Sequence, residues 1–557
     1  MDKNALIKFL EAVRAGYVEE AEFHRFLIHA FTGGGGFRGR IRRPLAGWWG
    51  WAAEVYARAA LKSDETTSPS VSYLDRFSRE DDAKFKSRVA ISHYINHVRP
   101  LTELKVSYLL RGNFSEESIP PKVDEWSENV DGRGRGLEEM RRELALRAAV
   151  LGWFPVIVDA PAVSEGASVA QAREENDGAE PSPRMIPLLP AHLLDYECGE
   201  DGQLEWAKVR IDRWERSDWR GARTLVSTYR IFRADTIETF EVRRGDDGKG
   251  EAEVFELGEV SHSFGRVPIV IFRASAEVGD DPIVCESIAA DVAIIARRLF
   301  NLLSEFDEHL RGQVFAVLQV PTKGGAEALR EISLGVDNAI AVPPDSSQSI
   351  AYIAPPASVA ATYEARIERT TQDMYRVARV EYTRPTGLES SAASRRSEFD
   401  ATNMAIADLA AALARAMREV YELVGAFFRV SDNELRTMQI VPPMSFDIDS
   451  LAEDVETTKG TLEIEAGATY RKLVLMRWVD RVLPRLSEAD RAKIEGEVDR
   501  VVQESEAAAS AMRAGLGAEG TDEDDEDEGD DDGGRGSDRA AGARPAPGAG
   551  APNARGA

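Results

Sequence analysis

The sequence predicts an α+β fold, and two long stretches carry that prediction. Residues 186–275 contain a series of short runs rich in β-forming residues, the last of which is VPIVIF (267–272). Residues 283–430 then give a helix, a small β-containing module, a second helix, a loop and a very long helix. A run of strands followed by a run of helices is typical of the α+β class.

The three helices of the second stretch are predicted from their apolar periodicity. The first follows Asp281-Pro282 and ends before Gly312, and its apolar face holds Ile288, Val292, Ile295, Leu299, Leu302, Phe306 and Leu310. The second starts at Ser358, with the face Val359, Tyr363, Ile367, Met374 and Val377. The third is predicted from about Ser391 to Phe428, roughly three times the usual helix length of about 11–12 residues. Its buried face is predicted to hold Leu409, Leu413, Met417, Val420, Val424 and Phe428.

Two irregular segments separate these helices. QVFAVLQV (313–320), AIAV (339–342) and IAYI (350–353) predict short strands between the first and second helices. The stretch VEYTRPTGLES (380–390) contains Pro385 and Gly387, which interrupt a helical pattern and therefore predict a loop.

Length and composition predict a large protein without disulfides or membrane spans. The 557 residues suggest two to four domains, and a hydrophobic content of 43% is enough for sizeable cores. Two cysteines, Cys198 and Cys285, argue against a disulfide scaffold and fit a reducing cytoplasm. We find no signal peptide at the N-terminus and no apolar run of about 18 residues, so we expect a soluble chain.

The formal net charge of −27 has two interpretations. The tail from Gly515 onward holds 12 acidic residues and 4 arginines, so it contributes −8 and leaves about −19 on the body. Proteins that grip nucleic acid concentrate positive charge, so any DNA that this chain contacts is expected to be loosely held. The other interpretation is that the acidity keeps a large protein soluble. The tail itself, rich in Gly, Ala, Pro and Asp, is predicted to be disordered.

Two further motifs have a structural and a functional interpretation. In GGGGFRGRIRRPLAGWWGW (33–51), arginines stand beside aromatics, as in nucleic-acid contacts, but tryptophans that pack inward after a glycine hinge explain the pattern better. No Gly-Lys-Ser/Thr follows the glycines, so they are not a phosphate-binding loop. His93 and His97 have a metal-ligand spacing but no third ligand in pattern, so surface or packing roles are favoured.

The order of elements over 283–430 resembles the portal proteins of tailed bacteriophages, in which two stem helices flank a small α/β clip. The resemblance covers roughly residues 70–510 and is carried by the ordered set of elements, since no catalytic signature is present. It implies a portal fold with a mixed α/β wing, a two-helix stem, a small α/β clip, a long wing helix and a helical crown.

The resemblance also implies domain boundaries. The assignments are an N-terminal segment (1–62), the wing with a β-rich second half (63–282), the first stem helix (283–312), the clip (313–356), the second stem helix (357–379), the tunnel loop (380–392), the long wing helix (393–430), the crown helices (431–514) and the acidic tail (515–557).

What the resemblance implies about function is a head-to-tail connector ring, usually of twelve copies, at one capsid vertex. Double-stranded DNA would pass through it, without sequence-specific contacts, during genome packaging and ejection. The implied partners are the terminase large subunit, a head–tail adaptor, and the major capsid and scaffold proteins. The implied location is the virion, with the host cytoplasm during assembly. We predict no enzymatic activity, cofactor, metal or membrane contact.

Two groups of residues are the candidate sites under this resemblance. The tunnel loop and the start of the long helix would face DNA with Tyr382, Thr383, Arg384, Pro385, Thr386, Gly387, Arg395 and Arg396. The clip would bind terminase and adaptor with Lys323, Gly324, Gly325, Glu327, Arg330, Glu331 and Asp337. An alternative role for the loop arginines is pairing with Glu381, Glu389 or Glu398, which would only stabilise subunit contacts.

Two other functions compete with this interpretation. One is a different ring-forming head component such as an adaptor, although adaptors are generally much shorter than this chain. The other is an enzyme with an unrecognised acidic active site. No Ser-His-Asp order, GxSxG, HExxH or CxxC motif supports an enzyme, but carboxylate pairs that form only on folding leave no mark in a sequence.

Overall fold

The computed structural model describes most of the chain outside the acidic tail, in two compact units, Met1–Ile448 and Asp449–Ala557. The described residues are 2–37, 47–59, 72–78, 80–112, 114–160, 181–216, 218, 221, 223–245, 248, 250–275, 281–314, 317–321, 339–342, 351–353, 356, 358–380, 392–443, 467–483 and 488–516. Helices and mainly antiparallel sheets are both abundant, so the chain is a mixed α+β protein.

The helices and strands follow one another in blocks. The described helices are α1 (Lys3–Glu11), α2 (Tyr17–Thr32), α3 (Gly47–Ala59), α4 (Asp82–Ile91), α5 (Val98–Leu109), α6 (Pro121–Ser127), α7 (Leu137–Leu151), α8 (Ala290–Val314), α9 (Ser358–Val377), α10 (Ala392–Phe427), α11 (Asp432–Thr437), α12 (Ala468–Val482) and α13 (Glu488–Leu516). The strands are β1 (Ser115–Glu117), β2 (Trp153–Asp159), β3 (Arg184–Pro187), β4 (Leu193–Cys198), β5 (Leu204–Arg216), β6 (Arg223–Phe232), β7 (Thr236–Arg244), β8 (Ala252–Ser261), β9 (Ile269–Arg273), β10 (Val317–Pro321), β11 (Ala339–Val342), β12 (Ala351–Ile353) and β13 (Gln439–Val441).

The largest sheet is an antiparallel meander in the order β4-β5-β6-β7-β8. Its strands are rich in Val, Ile, Thr, Tyr and Phe, the residues that suit a pleated, half-buried surface. Strand β8 forms one edge and is almost wholly exposed. Short antiparallel connections between neighbouring strands explain why this region reads as continuous β-structure in the sequence.

A second sheet, β3-β2-β9, lies at the centre of the first unit and packs against α7 and α10. Strand β2 is buried along nearly its whole length, and α7 is mostly buried. Gly152 joins α7 to β2 with a φ of +84°, and a Cβ there would lie 2.2 Å from the Cys285 carbonyl oxygen. Only glycine therefore lets the segment that leads into α8 pass this closely over the end of α7.

Helices α8 and α9 are joined through a small three-stranded sheet in the order β11-β10-β12. Strand β10 pairs parallel with β11 and antiparallel with β12. The strands predicted between these two helices are therefore present in the chain.

Two predicted boundaries differ from the structure. Helix α8 begins at Ala290, because the carboxylate of Asp281 accepts from the Ile283 N–H at 2.8 Å and the Ser287 hydroxyl accepts from Ala289 at 3.0 Å, which forms turns before the helix. The predicted crown range 431–514 is also divided. Its first part belongs to the first unit, where β13 pairs with β1. The long helix α10 begins and ends within about one residue of its prediction.

The second unit contains a helical hairpin, α12 followed by α13. The Lys472 ammonium reaches both Glu495 and Asp499 at 2.9 Å and ties the two helices together. Within the described ranges, no helix combines the length and apolar character needed to cross a membrane.

Candidate functional site

Most of the predicted site residues lie outside the part of the chain that the structure describes. This is true of Tyr382, Thr383, Arg384, Pro385, Thr386 and Gly387 in the tunnel loop. It is also true of the clip residues Lys323, Gly324, Gly325, Glu327, Arg330, Glu331 and Asp337. Arg395 and Arg396 lie near the start of α10, where the backbone alone is described. The described neighbourhood of both sites is the helix pair formed by α8 and α9.

The two helices of this pair run in opposite directions and touch along their length. Near the end of α8, the ring of Phe306 stacks on Tyr363, near the start of α9, with centroids 5.7 Å apart. His309 lies 5.9 Å from the same tyrosine ring. Toward the other end of α9, Met374 is fully buried in a cluster that includes Leu299 of α8. The helix pair is therefore packed in the core at one end and held together by aromatic contacts at the other.

The side chains of the helix pair become less buried toward the small sheet. No buried residue lies within the described segments 305–314 of α8 and 358–369 of α9. Apolar side chains continue there, and Val314 is 74% exposed. Leu310, Val359 and Val377, which the sequence places on buried faces, are exposed in the single chain. For Leu310 and Val359 the reason is geometric, since the apolar stripe of each helix extends beyond the part of the body that could cover it. Val377 lies beside the buried Ala378 at the core end of α9, so its exposure comes from the side of the helix that it occupies.

Helix α9 ends in a left-handed cap immediately before the predicted tunnel loop. The N–H of Val380 donates to the Tyr375 carbonyl at 3.0 Å, and the N–H of Arg379 donates to the Arg376 carbonyl at 3.0 Å. This is the Schellman arrangement, in which glycine normally occupies the left-handed position. Arg379 holds that position with a φ of 55°. The chain therefore places an arginine where the backbone favours glycine.

Arg379 lies beside a buried lysine at the base of the loop. Lys105 of α5 is buried, and this burial, with the positive charge of Arg379, lowers its pKa to about 8. His97, the residue before α5, places its ring 5.9 Å from the Tyr375 ring. Burial also lowers the pKa of His97. The predicted tunnel loop therefore begins next to two basic side chains. The sequence did not reveal this, because Lys105 lies far from Arg379 along the chain.

A second group of arginines lies on the outer face of α9. Arg366, Arg369 and Arg376 are exposed, whereas Met374 points into the core. The spacing of three and seven residues returns to one side of a helix. Asp373 pairs with Arg376 at 2.9 Å on the same face. The spacing of the three arginines in the sequence indicates this face. The prediction of DNA contacts considered only the loop and the start of the long helix, and so missed it.

A buried ion pair between Arg88 of α4 and Glu80 attaches this part of the chain to α8. Arg88 and Glu80 are both buried and join through two hydrogen bonds of 2.9 and 2.8 Å. Arg88 also donates to the Ser304 hydroxyl at 3.3 Å and to the Asp75 carbonyl at 2.6 Å. The hydrogen bonds from Arg88 hold the pKa of Glu80 below its usual value. The helix pair therefore has a rigid attachment to the body.

The histidines and tryptophans with a functional alternative make contacts within the chain. His93 faces Asp307 at 3.4 Å, and His97 contacts Tyr375. Trp48 lies under the Arg147 guanidinium at 4.0 Å, and Trp51 stacks on His192. Arg38, Arg40, Arg42 and Arg43 lie outside the described residues. Across the part of the chain that the structure describes, no group of three His, Cys, Asp or Glu side chains could hold a metal ion.

Comparison with known proteins yields weak similarities only. No protein-family model matches the chain, and no curated protein matches it. A chain of the solved structure "Virion of native gene transfer agent (GTA) particle" is similar with a TM-score of 0.33 and 11% identity, over 67% of this chain and 88% of that one. A chain of "Neck of empty GTA particle computed with C6 symmetry" is similar with a TM-score of 0.35 and 12% identity, over 68% and 90%. TM-scores this low do not establish a shared fold or function.

Proposed function

We propose that this chain is the subunit of a phage-type portal ring, which conducts double-stranded DNA into and out of a capsid. The helix pair carries the proposal. It projects apolar residues beyond its own core, and Val314 and Val359 stay exposed in the single chain. Exposed apolar surface of this kind is normally covered by a partner. Copies of the pair side by side in a ring would cover it and form a continuous wall.

The outer face of α9 supports a role in DNA passage. Arg366, Arg369 and Arg376 are exposed there and would face phosphates if this side lines the channel. Each such contact is solvent-screened, so the duplex would be centred without being held. The net charge of −27 limits the total attraction for DNA. A conduit needs this balance, because strong contacts would stop a moving duplex.

The remaining assignments follow the order of the elements. The segment 313–356, with the sheet β10–β12, would dock terminase and the head–tail adaptor. The loop 380–392 would line the channel, with Arg384 contacting phosphates. Arg379 and Lys105 would add positive charge at its base. The ring is proposed to be dodecameric and to be built at a capsid vertex with the major capsid and scaffold proteins, while ATP hydrolysis belongs to the terminase.

Electron microscopy of the purified full-length chain tests this proposal. The expected result is a ring with a central hole wide enough for a duplex. Light scattering then measures the mass of the ring, which gives the number of subunits. A particle without a hole contradicts the portal assignment and favours another head component. A monomer that turns over a substrate at its carboxylates favours the enzyme alternative.

Two variants separate ring formation from folding. Val314→Asp and Val359→Asp change residues that are exposed in the single chain, so the helical content should not change. Both variants should weaken the ring, because a carboxylate would be buried at the subunit contact. Rings of normal stability from both variants would show that the helix pair does not form the contact.

A further inference from the structure

Strand β8 forms an exposed edge of the largest sheet. It is the last strand in the described order β4-β5-β6-β7-β8, and eight of its ten residues are exposed. The N–H and C=O groups along the outer side of an edge strand have no partner within their own sheet. Such an edge can therefore accept a further strand, which forms main-chain hydrogen bonds with it.

A β-bulge at Leu257 decides which side chains of β8 share a face. Glu256 and Gly258 lie opposite consecutive residues of β7, so Leu257 is an extra residue in the pairing. The alternation of faces shifts by one position at the bulge. As a result, Glu256 and Glu259 lie on the same face of the strand although they are three residues apart. A regular strand would have placed these two carboxylates on opposite faces.

The face with Glu256 and Glu259 carries excess negative charge. Glu259 lies directly opposite Glu238 of β7. Arg233 lies 3.7 Å from Glu259 and 3.5 Å from Glu238, so one guanidinium faces two carboxylates. Glu256 is exposed on the same face. The strand β8 itself contains three glutamates and no lysine or arginine, so its open edge is acidic.

The other face of β8 exposes apolar side chains. Phe255 is 44% exposed and Val260 is 49% exposed. They lie opposite Glu241 and Ile237, which share one face of β7. The Arg243 guanidinium lies 5.4 Å from the Phe255 ring and covers part of it. Cross-strand neighbours are the groups that cover apolar side chains of this kind in a sheet, so an added strand would bury them.

The charge of this edge determines which strands can pair with it. Two β8 strands side by side would bring their glutamates together, and like charges that face each other destabilise a strand pair. The strand at the other end of the sheet, β4, carries Asp195 and Glu197 and would be repelled in the same way. A strand that fits must place basic side chains on the acidic face and apolar side chains on the other face. Because successive side chains of a strand alternate between faces, such a segment alternates basic and apolar residues.

We propose that β8 is the docking edge for an extended segment of another protein in which basic and apolar residues alternate. The segment extends the sheet by one strand through main-chain hydrogen bonds. Its lysines or arginines pair with Glu256 and Glu259, and its apolar residues cover Phe255 and Val260. The glutamates make the edge selective, because they attract a basic strand and repel acidic strands, including those of a second copy.

A synthetic peptide tests the fit to the full-length chain. The peptide alternates lysine and valine, has the length of β8 and carries blocked ends. Fluorescence anisotropy of the labelled peptide measures its dissociation constant. A peptide of the same composition, with all lysines in one block and all valines in another, should bind roughly tenfold more weakly, because its side chains cannot match both faces. Equal binding of the two peptides would mean that net charge alone attracts them, and would overturn the proposal.

Two modified peptides test the pairing of the backbones. N-methyl groups on every second residue of the alternating peptide block one of its edges, and N-methyl groups on the remaining residues block the other. Because β8 pairs with one edge, one modified peptide should lose binding and the other should keep it. Binding that survives both modifications rules out an added strand.

Charge reversal locates the contact on the chain. Glu256→Lys with Glu259→Lys should weaken binding of the alternating peptide by about tenfold or more, since each opposed pair contributes up to about fivefold. Glu125→Lys with Glu128→Lys, at the exposed end of α6, makes the same change in net charge at the same spacing and should leave binding unchanged. The variant of β8 should in turn bind a peptide of alternating glutamate and valine. Equal effects of the two double variants would place the contact away from β8.

Mass photometry without peptide tests the remaining occupant. Glu256→Lys with Glu259→Lys should leave the mass of the chain's assemblies as in the wild type, because β8 does not pair with a second copy. An unchanged mass, together with the loss of peptide binding, supports the proposal. A changed mass would make a second copy the occupant of this edge and would overturn it.

Discussion

Phe306 and Tyr363 stack with ring centroids 5.7 Å apart and join the end of α8 to the start of α9. The contact lies past Ser304, the last buried residue of α8. The helices therefore stay paired after they leave the core. This pairing positions the small sheet that they carry.

A double-mutant cycle tests the stacked pair. Phe306→Leu and Tyr363→Leu should show a coupling of about 1 kcal/mol in the free energy of unfolding, since aromatic pairs contribute that much beyond buried area. Urea denaturation measures each variant. Phe306→Leu combined with Tyr375→Leu, at the other end of α9, should be additive. Additivity of the stacked pair itself would mean that the contact contributes nothing specific.

Two arginines in left-handed caps provide a matched pair of substitutions. Arg379 and Arg429 both have a φ of 55°, at the ends of α9 and α10. Glycine accepts this conformation, so Arg379→Gly and Arg429→Gly should each raise the free energy of unfolding by up to about 1 kcal/mol. Differential scanning calorimetry measures this gain. A loss of stability in either variant would show that the side chain contributes more than the strain costs.

The same two variants should differ in DNA passage. Arg379 lies beside Lys105 at the base of the proposed channel loop, so Arg379→Gly should slow packaging into capsids. Arg429→Gly should package at the wild-type rate. Equal rates for the two variants would remove Arg379 from the proposed channel.

Stability should depend on pH through Lys105. Its pKa in the folded chain is about 8, below the ordinary value of 10.5, so unfolding binds a proton between these two values. The free energy of unfolding should therefore rise from about pH 8 to about pH 10.5, and the cost of the charged lysine is complete below about pH 8. Lys105→Met should remove this rise and stabilise the chain near pH 7. Urea denaturation at several pH values gives the comparison, with the exposed Lys122→Met as the control; an unchanged slope in Lys105→Met refutes the assignment.

The proposed channel loop can be shortened without touching the described core. Arg384→Glu and, in a separate variant, deletion of 383–388 should each leave rings intact and abolish filled heads, because the first loses the phosphate contact and the second loses the loop that carries it. Ring formation is followed by electron microscopy and packaging by nuclease-protected DNA. Heads that fill at the normal rate would disprove the role of this loop.

The proposed clip can be tested by replacement. A short Gly-Ser linker in place of 322–337 should keep the ring and eliminate binding of the terminase large subunit. Co-sedimentation of ring and terminase measures this loss. Terminase that binds the variant as it binds the wild type would move the docking surface elsewhere.

The regular elements of this chain could be predicted because their signals are local. The long helix was predicted to about one residue, since thirty-six residues rich in Ala with one apolar face favour a helix over a strand. Leu299 and Met374 were placed on buried faces and are buried. The α+β class followed from the same local periodicities.

The sequence by itself determined the three long helices and the strand-rich stretch before them, and which side of each of these helices is apolar. Only the tertiary structure decided where that apolar side is covered: Leu310 and Val359 belong to the stripes of α8 and α9 but lie beyond the reach of the body. It also decided that β13 pairs with β1 and that Lys105 lies beside Arg379. These relationships join residues that are distant along the chain, and periodicity within one element carries no information about which other element packs against it.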